Sequence, residues 1–505
     1  MLTDNVETHF AHPLIDANPL VLIAVFTVLV INILGHVSRT SCGFALNMLR
    51  MMVEVAFSGT GKPNAFEEKI LKAFPTDIRT ARKHFNLESK FTYYASCPAC
   101  CALYSPEIRK NIPVYPRLCD NKPFPESKPC GARLTKSGTA NGKSIRVPIR
   151  PFAVQDFDTF VGSLLCRPGV EEMIEAMSCL EAKDLVADIA EGEIVRDIVD
   201  TDGLPFVRAN AGEARLTWAL SVDWYNPYLN KIAGKTASSG SIVLALLLLS
   251  PSVRYKAENL YLMGITPGPK EPTVDQINHY LRPLVDKFLH SFHTGTWYSR
   301  TIQYPRGRRS RSAIAVEVSD GPGARKVSGH GSHSANLFCM FCHLLKSDIN
   351  NLDETTWTER TYEEIRLAAA EYQSAKTKDE RQTIFKRTGV RGSELMRLPY
   401  YTHRRVAIDA MHNLFLGLVQ HHFRIVLGVN VPSGDRDAVN ADPKQVHRAV
   451  QVLDNRPTAA GLKRISVAAL KAVIEFRGLS LPTTKGEPKK SILISTLLVS
   501  SSNSR

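Results

Sequence analysis

A cluster of cysteines contains the residues of this sequence whose chemistry is easiest to assign. A CxxC pair opens a segment rich in proline, glycine and lysine, and two further cysteines follow it, giving the set Cys97, Cys100, Cys119 and Cys130. Four thiolates at such spacing suit a tetrahedral zinc ion, and a segment with little core needs a metal to fold. We therefore predict a structural zinc site. Cys101 could replace Cys100, and free structural cysteines are the alternative interpretation.

Two aspartates form the second candidate site. Asp223 follows the apolar run 215–222, and Asp320 follows the alternating run 312–318. Strands placed side by side would bring both carboxylates to one edge of a sheet. Hard oxygen ligands suit Mg²⁺, and a two-metal site supports in-line phosphoryl transfer. The alternative is that each aspartate only caps a turn or a helix after its strand.

The elements that would position these aspartates form an α/β pattern. Three apolar runs predict strands, a stretch that opens with proline predicts a helix, and a further run predicts a fourth strand. In chain order these are residues 215–222, 241–249, 259–265, 272–292 and 312–318. The predicted fold class is therefore α/β, with a mixed sheet.

Changes of composition divide the chain into predicted segments. They are a helical region at 1–90, a zinc-ribbon-like module at 91–150, the α/β core with a charged helical insertion at 151–430, a linker at 431–461 and a small helical module at 462–500. Within the last part of the core, residues 406–427 predict an apolar helix. The apolar run 20–34 is shorter than the roughly 20 residues that cross a bilayer. It favours a buried helical hairpin over a membrane anchor.

The overall charge favours a polyanionic partner. Lys and Arg number 63 and Asp and Glu 49, so the net charge is +14. Such an excess attracts nucleic acid through its phosphates, although a basic solvated surface is the alternative. Ten cysteines in a chain of this length do not form the dense disulfide framework of a small secreted domain. Cysteines grouped as CxxC instead indicate reduced thiolates and an intracellular protein.

Two groups of basic residues are candidate DNA contacts. One precedes the strand that leads to Asp320, and consists of Arg306, Arg308, Arg309 and Arg311. The other lies in the predicted helical pair 462–499, and consists of Lys463, Arg464, Lys485, Lys489 and Lys490. Each group could bind phosphates, and each could equally be a solvated basic surface.

Three stretches carry a family resemblance. Residues 218–235, 252–272 and 329–342 together resemble the CACTA (En/Spm-like) DDE transposases of fungal genomes, and the resemblance extends from Cys97 to Gly428. The C-terminal helical pair is similar to a SAP module, which binds DNA. The resemblance implies an RNase H-like core with a catalytic acidic triad, whose first two members are Asp223 and Asp320, and catalytic Mg²⁺.

The resemblance also identifies a second possible metal site. It places a family CxxC on Cys339 and Cys342, and an Asp-x-x-His motif on Asp409 and His412. These four side chains could share a structural metal or merely pack together. Nearby histidines are rival ligands, namely His330, His333 and His343.

The third acid of the triad has no clear equivalent. In the family it lies on a helix well after the Asp-x-x-His motif, whereas this sequence changes character after about Asn430. Three other acids, Glu364, Glu371 and Glu394, lie in the charged insertion or just after it, where surface positions are expected. We therefore expect the transposase core to be C-terminally incomplete, with cleavage defective.

These observations together predict a nuclear DNA-binding protein derived from a transposase, whose ancestor cut and joined transposon ends. DNA is the expected partner, self-association is compatible with the sequence, and no small-molecule substrate is expected. One alternative is a DNA-binding remnant or domesticated protein without enzymatic activity. Another is a membrane-associated protein anchored by residues 20–34.

Overall fold

The chain divides into two compact units, residues 1–409 and 410–505. A computed structural model describes residues 2–4, 6–10, 16–59, 61–85, 87–140, 143–179, 186–208, 212–227, 237–429, 442–455, 457–477, 479 and 488–502. Each unit has its own hydrophobic core and is described separately.

The N-terminal region is helical, as predicted. Its helices are α1 (Glu7–Phe10), α2 (Pro19–Ile33), α3 (Arg39–Ser58), α4 (Ala65–Ala73) and α5 (Ile78–His84). The apolar run forms α2 and packs against α3, but only one face of α2 is buried, and Ile23 on the other face is 64% exposed. The predicted hairpin is therefore present without being fully buried. Among the described residues, no helix combines the length and hydrophobicity needed to cross a membrane.

A ten-stranded mixed sheet forms the centre of the first unit. Its strands are β1 (Leu2–Asp4), β2 (Phe91–Ser96), β3 (Leu103–Tyr104), β8 (Pro151–Gln155), β9 (Glu213–Tyr225), β10 (Ser239–Leu246), β11 (Leu260–Thr266), β12 (Thr296–Tyr298), β13 (Arg308–Ser319) and β14 (Val406–Ile408). Two hairpins lie outside it, formed by β4 (Glu107–Arg109) with β5 (Ile112–Val114), and by β6 (Thr135–Ala140) with β7 (Lys143–Pro148).

The strand order places the predicted strands side by side. From one edge the order is β1, β12, β13, β9, β10, β11, β8, β2 and β3, and β14 also pairs with β13. Strands β9, β10 and β11 are antiparallel neighbours, whereas β13 is parallel to both β9 and β14. The carboxyl ends of β9, β13 and β14 therefore point in the same direction.

Buried ion pairs explain why β9 and β13 begin earlier than predicted. Glu213, Arg215, Arg308 and Arg311 are all buried within these strands. Because Glu213 bonds Arg215 at 2.6 Å, the strand includes polar residues that a hydropathy pattern assigns to a loop. The prediction correctly located the apolar centre of each strand and missed its charged start.

The remaining helices of the first unit pack around the sheet. They are α6 (Phe157–Leu165), α7 (Val170–Ser178), α8 (Glu193–Arg196), α9 (Pro251–Arg254), α10 (Val274–His293), α11 (Gly321–Val327), α12 (Tyr362–Ser374) and α13 (Lys378–Thr388). Helix α10 starts after Thr273, whose hydroxyl forms a capping box with Gln276. It packs against β13 and α11, close to the strand end that carries Asp320.

The predicted zinc module and core share one sheet. Strand β2 pairs with β8, with Tyr93 opposite Ala153 and Phe91 opposite Gln155, and β8 in turn contacts β11. The predicted boundary after residue 150 therefore separates β2 from β8, although these two strands are paired in the same sheet.

The second unit is helical. It contains π-helical segments at Met411–Val419 and His422–Val426, and α-helices at Pro443–Asn455, Ala459–Lys463, Val467–Phe476 and Lys490–Ser502. The α-helices share a core that includes Leu470 and Leu497. The single helix predicted over 406–427 is wrong at its start, because residues 406–408 form β14; a short apolar run alone does not distinguish a strand from a helix.

Candidate functional site

The first cysteine cluster is assembled as predicted. Each of four cysteines offers a sulfur within 4.8 Å of the other three, and these are Cys97, Cys100, Cys119 and Cys130. The Cys97 and Cys130 sulfurs are 3.7 Å apart, and those of Cys100 and Cys119 are 3.5 Å apart, with all four cysteines free. Four soft ligands gathered at one point fit a tetrahedral metal such as zinc.

The local backbone explains why Cys100 joins the cluster and its neighbour does not. Cys101 has a φ of 65°, in the left-handed region, which turns the chain sharply after the CxxC. Its sulfur instead accepts a hydrogen bond from the Arg150 guanidinium at 3.7 Å. The alternative in which Cys101 replaces Cys100 is therefore not the arrangement of the described cluster.

Hydrogen bonds favour the metal-binding thiolate form at Cys97, whereas burial raises the pKa of Cys100 and of Cys119. Burial raises the pKa of Cys97, but the amide N–H groups of Cys100 and Ala99 outweigh that effect and lower it overall. The Tyr104 hydroxyl lies 3.2 Å from the Cys119 sulfur, and the Asn121 amide donates to Cys100 at 3.5 Å. Such outer contacts orient ligands in metal sites. The cluster could hold zinc.

The two predicted acids lie at one edge of the sheet. Strand β9 runs parallel to β13 with Leu220 opposite Glu317, and the Val222 N–H donates to the Ser319 hydroxyl at 3.1 Å. Asp223 is the next residue of β9, which continues to Tyr225, and Asp320 is the first residue after β13. They therefore occupy equivalent positions on two adjacent parallel strands.

A third carboxylate occupies the equivalent position after the next strand, β14. Strand β14 pairs with β13 so that Ile408 lies opposite Ser319, and the Asp409 N–H donates to the Ser319 carbonyl at 3.0 Å. Sequence analysis assigned Asp409 only to the second metal motif. Its place at this edge depends on β14, a three-residue strand that was predicted as helix. We call Asp223, Asp320 and Asp409 the carboxylate edge.

The three carboxylates of the carboxylate edge do not converge on a single point. Asp320 caps α11, and its Oδ1 accepts a hydrogen bond from the Gly323 N–H at 2.6 Å. Within the ranges described above, only the four cysteines bring three or more metal-ligand atoms within 4.8 Å of one another. Capping, the alternative interpretation of Asp320, therefore accounts for one of its oxygens.

A basic side chain lies next to this edge. The Nζ of Lys326 on α11 lies 4.1 Å from the centre of the ring of Trp224, the residue that follows Asp223. The same Nζ lies 2.7 Å from a carboxylate oxygen of Glu271. A cation beside a group of carboxylates could contact a phosphate that approaches them.

A buried acid lies on β13 just before the carboxylate edge. Glu317 is 1% exposed, and its carboxyl oxygens make no hydrogen bond of good geometry. Burial is the main cause that raises its pKa to about 7; the charge of Asp320 raises it further, and the Ser319 hydroxyl opposes both. A buried carboxyl without a cationic partner is costly once ionised, and a nearby metal cation would offset that cost.

This acid makes stability depend on pH. Because the pKa of folded Glu317 lies above its ordinary value of 4.5, the contribution is fully present below pH 4.5 and is lost as pH rises through 7. The loss is on the order of 3 kcal/mol. We expect Glu317→Gln to raise the thermal midpoint at pH 8 and to leave it nearly unchanged at pH 4.5, as measured by scanning calorimetry without added divalent cation. An equal effect at both pH values would contradict this explanation.

The other acids considered for the triad are held in ion pairs. Glu364 contacts His343 at 2.8 Å, Glu371 contacts Arg387, and Glu394 contacts Arg282 at 2.9 Å. These pairs fit the surface or structural role that the sequence indicated. None of the three follows a strand of the carboxylate edge.

The second cysteine pair forms a turn of the kind seen in the first. The Cys339 sulfur accepts hydrogen bonds from the amides of Phe341 and Cys342, both at 3.4 Å. Asp409 lies on the first unit and His412 on the second, so a metal shared with His412 stays a prediction. Of the rival histidines, His330 is buried beside Ser328, His343 pairs with Glu364, and His333 is exposed.

The arginine cluster before Asp320 separates into buried and exposed members. Arg308 bonds Glu171 and Glu175, and Arg311 donates to the Phe292 carbonyl at 2.6 Å. Arg309 pairs with Glu213, whereas Arg306 is exposed. Two of the four guanidiniums are thus internal, and Arg306 is the member best placed to meet a phosphate.

The C-terminal basic group lies on the helices of the second unit. Lys463 and Arg464 are exposed at the end of one helix, and the Lys490 ammonium donates to the Lys463 carbonyl at 2.9 Å. Lys489 is exposed just before the last helix. Lys485 lies outside the described residues. The SAP-like interpretation and the DNA contacts of this group stay predictions.

Comparison with known proteins gives one match to a protein family. No curated protein matches the chain significantly. Residues 203–362, which contain β9 to β13, Asp223, Asp320 and the Cys339 pair, match the family model described as Transposase family tnp2, and this match supports a transposase family for the chain.

Proposed function

We propose that this protein is a transposase-derived DNA-binding protein, whose carboxylate edge carries out, or once carried out, divalent-cation-dependent cutting and joining of DNA ends. The observation that carries the proposal is the placement of Asp223, Asp320 and Asp409 after one level of three adjacent parallel strands. The family match over residues 203–362, which include Asp223 and Asp320, supports it. The nucleus is the corresponding location.

We propose an RNase H-like core for the central sheet. Support comes from the chain order of three antiparallel strands, a long helix, the short strand β12 and then two strands parallel to the first. That order brings the ends of β9, β13 and β14 to one side although their sequences lie far apart. The fungal CACTA branch of the transposases is the finer family assignment that the sequence motifs suggest.

The residues of the carboxylate edge suit Mg²⁺. Three carboxylates supply the hard oxygen donors that this ion prefers. Bound there, such ions would activate a water or a 3′-hydroxyl and stabilise the leaving oxygen. Asp223, Asp320 and Asp409 would hold them, and Lys326 would orient the phosphate.

The zinc module and the basic residues would supply binding to the DNA backbone. Zinc at the cysteine cluster fixes the fold of the module, and exposed basic residues outside the core, such as Arg306 and Lys463, would neutralise phosphates. This contribution depends on salt and tolerates different sequences.

A second candidate function is DNA binding without cleavage, as in a domesticated remnant. The capping role of Asp320, and the open arrangement of the carboxylates, favour it. The proposed Asp409 is also an aspartate on a strand end, whereas the family's third acid lies on a helix.

A nicking assay tests the proposal. Purified chain is incubated with supercoiled plasmid and Mg²⁺ or Mn²⁺, and we expect Asp320→Asn and Asp409→Asn each to lower the nicking rate by about 100-fold or more, since losing a metal ligand costs several kcal/mol of transition-state stabilisation. Glu371→Gln is the matched control, because this acid only pairs with Arg387 on the surface.

Metal binding provides a readout besides activity. We expect Mn²⁺ binding, followed by electron paramagnetic resonance, to weaken in both aspartate variants and to persist in Glu371→Gln. Metal binding without nicking would identify the non-cleaving alternative. Nicking that survives Asp320→Asn, or Mn²⁺ binding unchanged in both variants, would refute the carboxylate edge as the catalytic site.

A further inference from the structure

An apolar groove lies on the face of β2 that carries Phe91 and Tyr93. These rings are 47% and 52% exposed, and their centres are 6.4 Å apart. The β4–β5 hairpin contributes Ile108 and Pro113 to one wall, β7 contributes another, and the groove encloses about 690 Å³. A space of this size suits a small planar ligand or part of a polymer.

The floor of the groove is held rigidly. The Tyr115 side chain is 6% exposed, and its hydroxyl donates to the Tyr93 carbonyl at 2.7 Å. Strand β2 is fixed on its other side by pairing with β8. The two exposed rings are therefore presented by a sheet strand, without being part of a mobile loop.

The segment that forms most of this groove is strongly basic, and Arg146 is the basic residue that lines the groove itself. Residues 91–150 contain ten Lys and Arg but three Asp and Glu, an excess of seven, which is half of the chain's net charge of +14. Exposed Lys110 and Lys136 lie on the hairpins without an ion pair to any described residue. An apolar surface framed by positive charge matches a ligand with flat apolar faces and an anionic backbone.

We propose that this groove binds unpaired nucleotides of single-stranded DNA, with bases stacked on Phe91 and Tyr93 and phosphates on the surrounding basic side chains. Every base has a π-face, so stacking on aromatic rings tolerates any sequence. A base within a duplex is already stacked and can enter only after unpairing, which costs a few kcal/mol. The groove therefore selects single strands over duplexes.

The inference rests on the proposed function only in taking DNA as the partner. The carboxylate edge takes no part in it, so the groove can be tested in an Asp320→Asn background without added divalent cation. No chelator is used, because the cysteine cluster must keep its metal. Failure of DNA cleavage and failure of strand selection are then distinguishable.

Fluorescence anisotropy with a labelled oligo-dT strand and a blunt duplex of equal length tests the groove. We expect Tyr93→Ala and Phe91→Ala each to weaken binding of the single strand by between about five- and 150-fold, since stacking contributes roughly 1–3 kcal/mol per base. Duplex affinity should change less than about twofold. Tyr93→Trp should preserve the affinity, and Tyr93→Leu, which keeps an apolar side chain, should not.

A matched control is an exposed tyrosine elsewhere. Tyr255 directly follows α9, is 62% exposed and does not line the groove, so Tyr255→Ala should leave both affinities unchanged. Zinc content and circular dichroism of each variant report whether the module remains folded. Equal losses for single strand and duplex in folded variants, or no binding of oligo-dT by the parent chain, would overturn the proposal.

Discussion

Replacing Cys100 by serine is expected to remove zinc from the protein and to unfold residues 97–150. The module has a small core around its cysteines, so a structural metal would supply on the order of 10 kcal/mol of its folding free energy. A hydroxyl is a poor substitute for a thiolate ligand. The zinc content measured by atomic emission spectrometry should fall from about one ion per chain to well below one, and the amide hydrogens of the module should exchange faster.

The adjacent cysteine provides the control for this result. Cys101 has the same chemistry but contacts Arg150 and lies outside the sulfur cluster. We expect Cys101→Ser to keep the full zinc content. If both variants retain zinc, or if the parent chain purifies without metal and remains folded, the cluster has no metal-dependent structural role.

Replacing Arg308 by methionine is expected to destabilise the first unit by about 3–5 kcal/mol, because it leaves a buried acid without its cationic partner. The Arg308 side chain is 3% exposed and lies 3.1 Å from fully buried Glu171 and 2.8 Å from Glu175. Its guanidinium also stacks on Tyr304, with the centres 4.3 Å apart. Chemical denaturation of the purified variant measures the loss.

Arg306 separates this structural role from DNA binding. It is exposed on the loop before β13, so Arg306→Met should change stability by no more than about 0.5 kcal/mol. If it contacts a phosphate of duplex DNA, the slope of log affinity against log salt should fall by about 0.9. Similar stability of both variants would contradict the assignment of Arg308 to an internal ion pair.

The sequence predicted the apolar centres of the long strands well and their ends poorly. The alternating and continuous runs in β9, β10 and β13 are dictated by burial, which hydropathy reports directly. The charged starts of β9 and β13 were missed because Glu213 and Arg311 are buried through ion pairs. Pairing partners far apart in the chain provide that information, and one sequence does not contain it.

The candidate sites were predictable to different extents. The CxxC, which a local turn brings together, and two further cysteines in the same segment rich in proline and glycine identified all four cysteines of the cluster. Asp223 and Asp320 were predicted to lie on adjacent strands, and the parallel pairing of β9 and β13 agrees with this. Asp409 was missed as a neighbour because its strand, Val406–Ile408, has three residues, although a short apolar run with two β-branched residues followed by aspartate is the signal that could have identified it.

The pairing of β2 with β8 limits how the protein can be truncated. A fragment cut at residue 151 would lose its neighbour along Phe91–Ala95 and would present β8 as a bare edge with unsatisfied amides. Exposed edges of this kind recruit other chains and promote aggregation. Expression trials of the central sheet should therefore begin upstream of Phe91, and insolubility of a shorter fragment would reflect the position of the cut and not a defect of the fold.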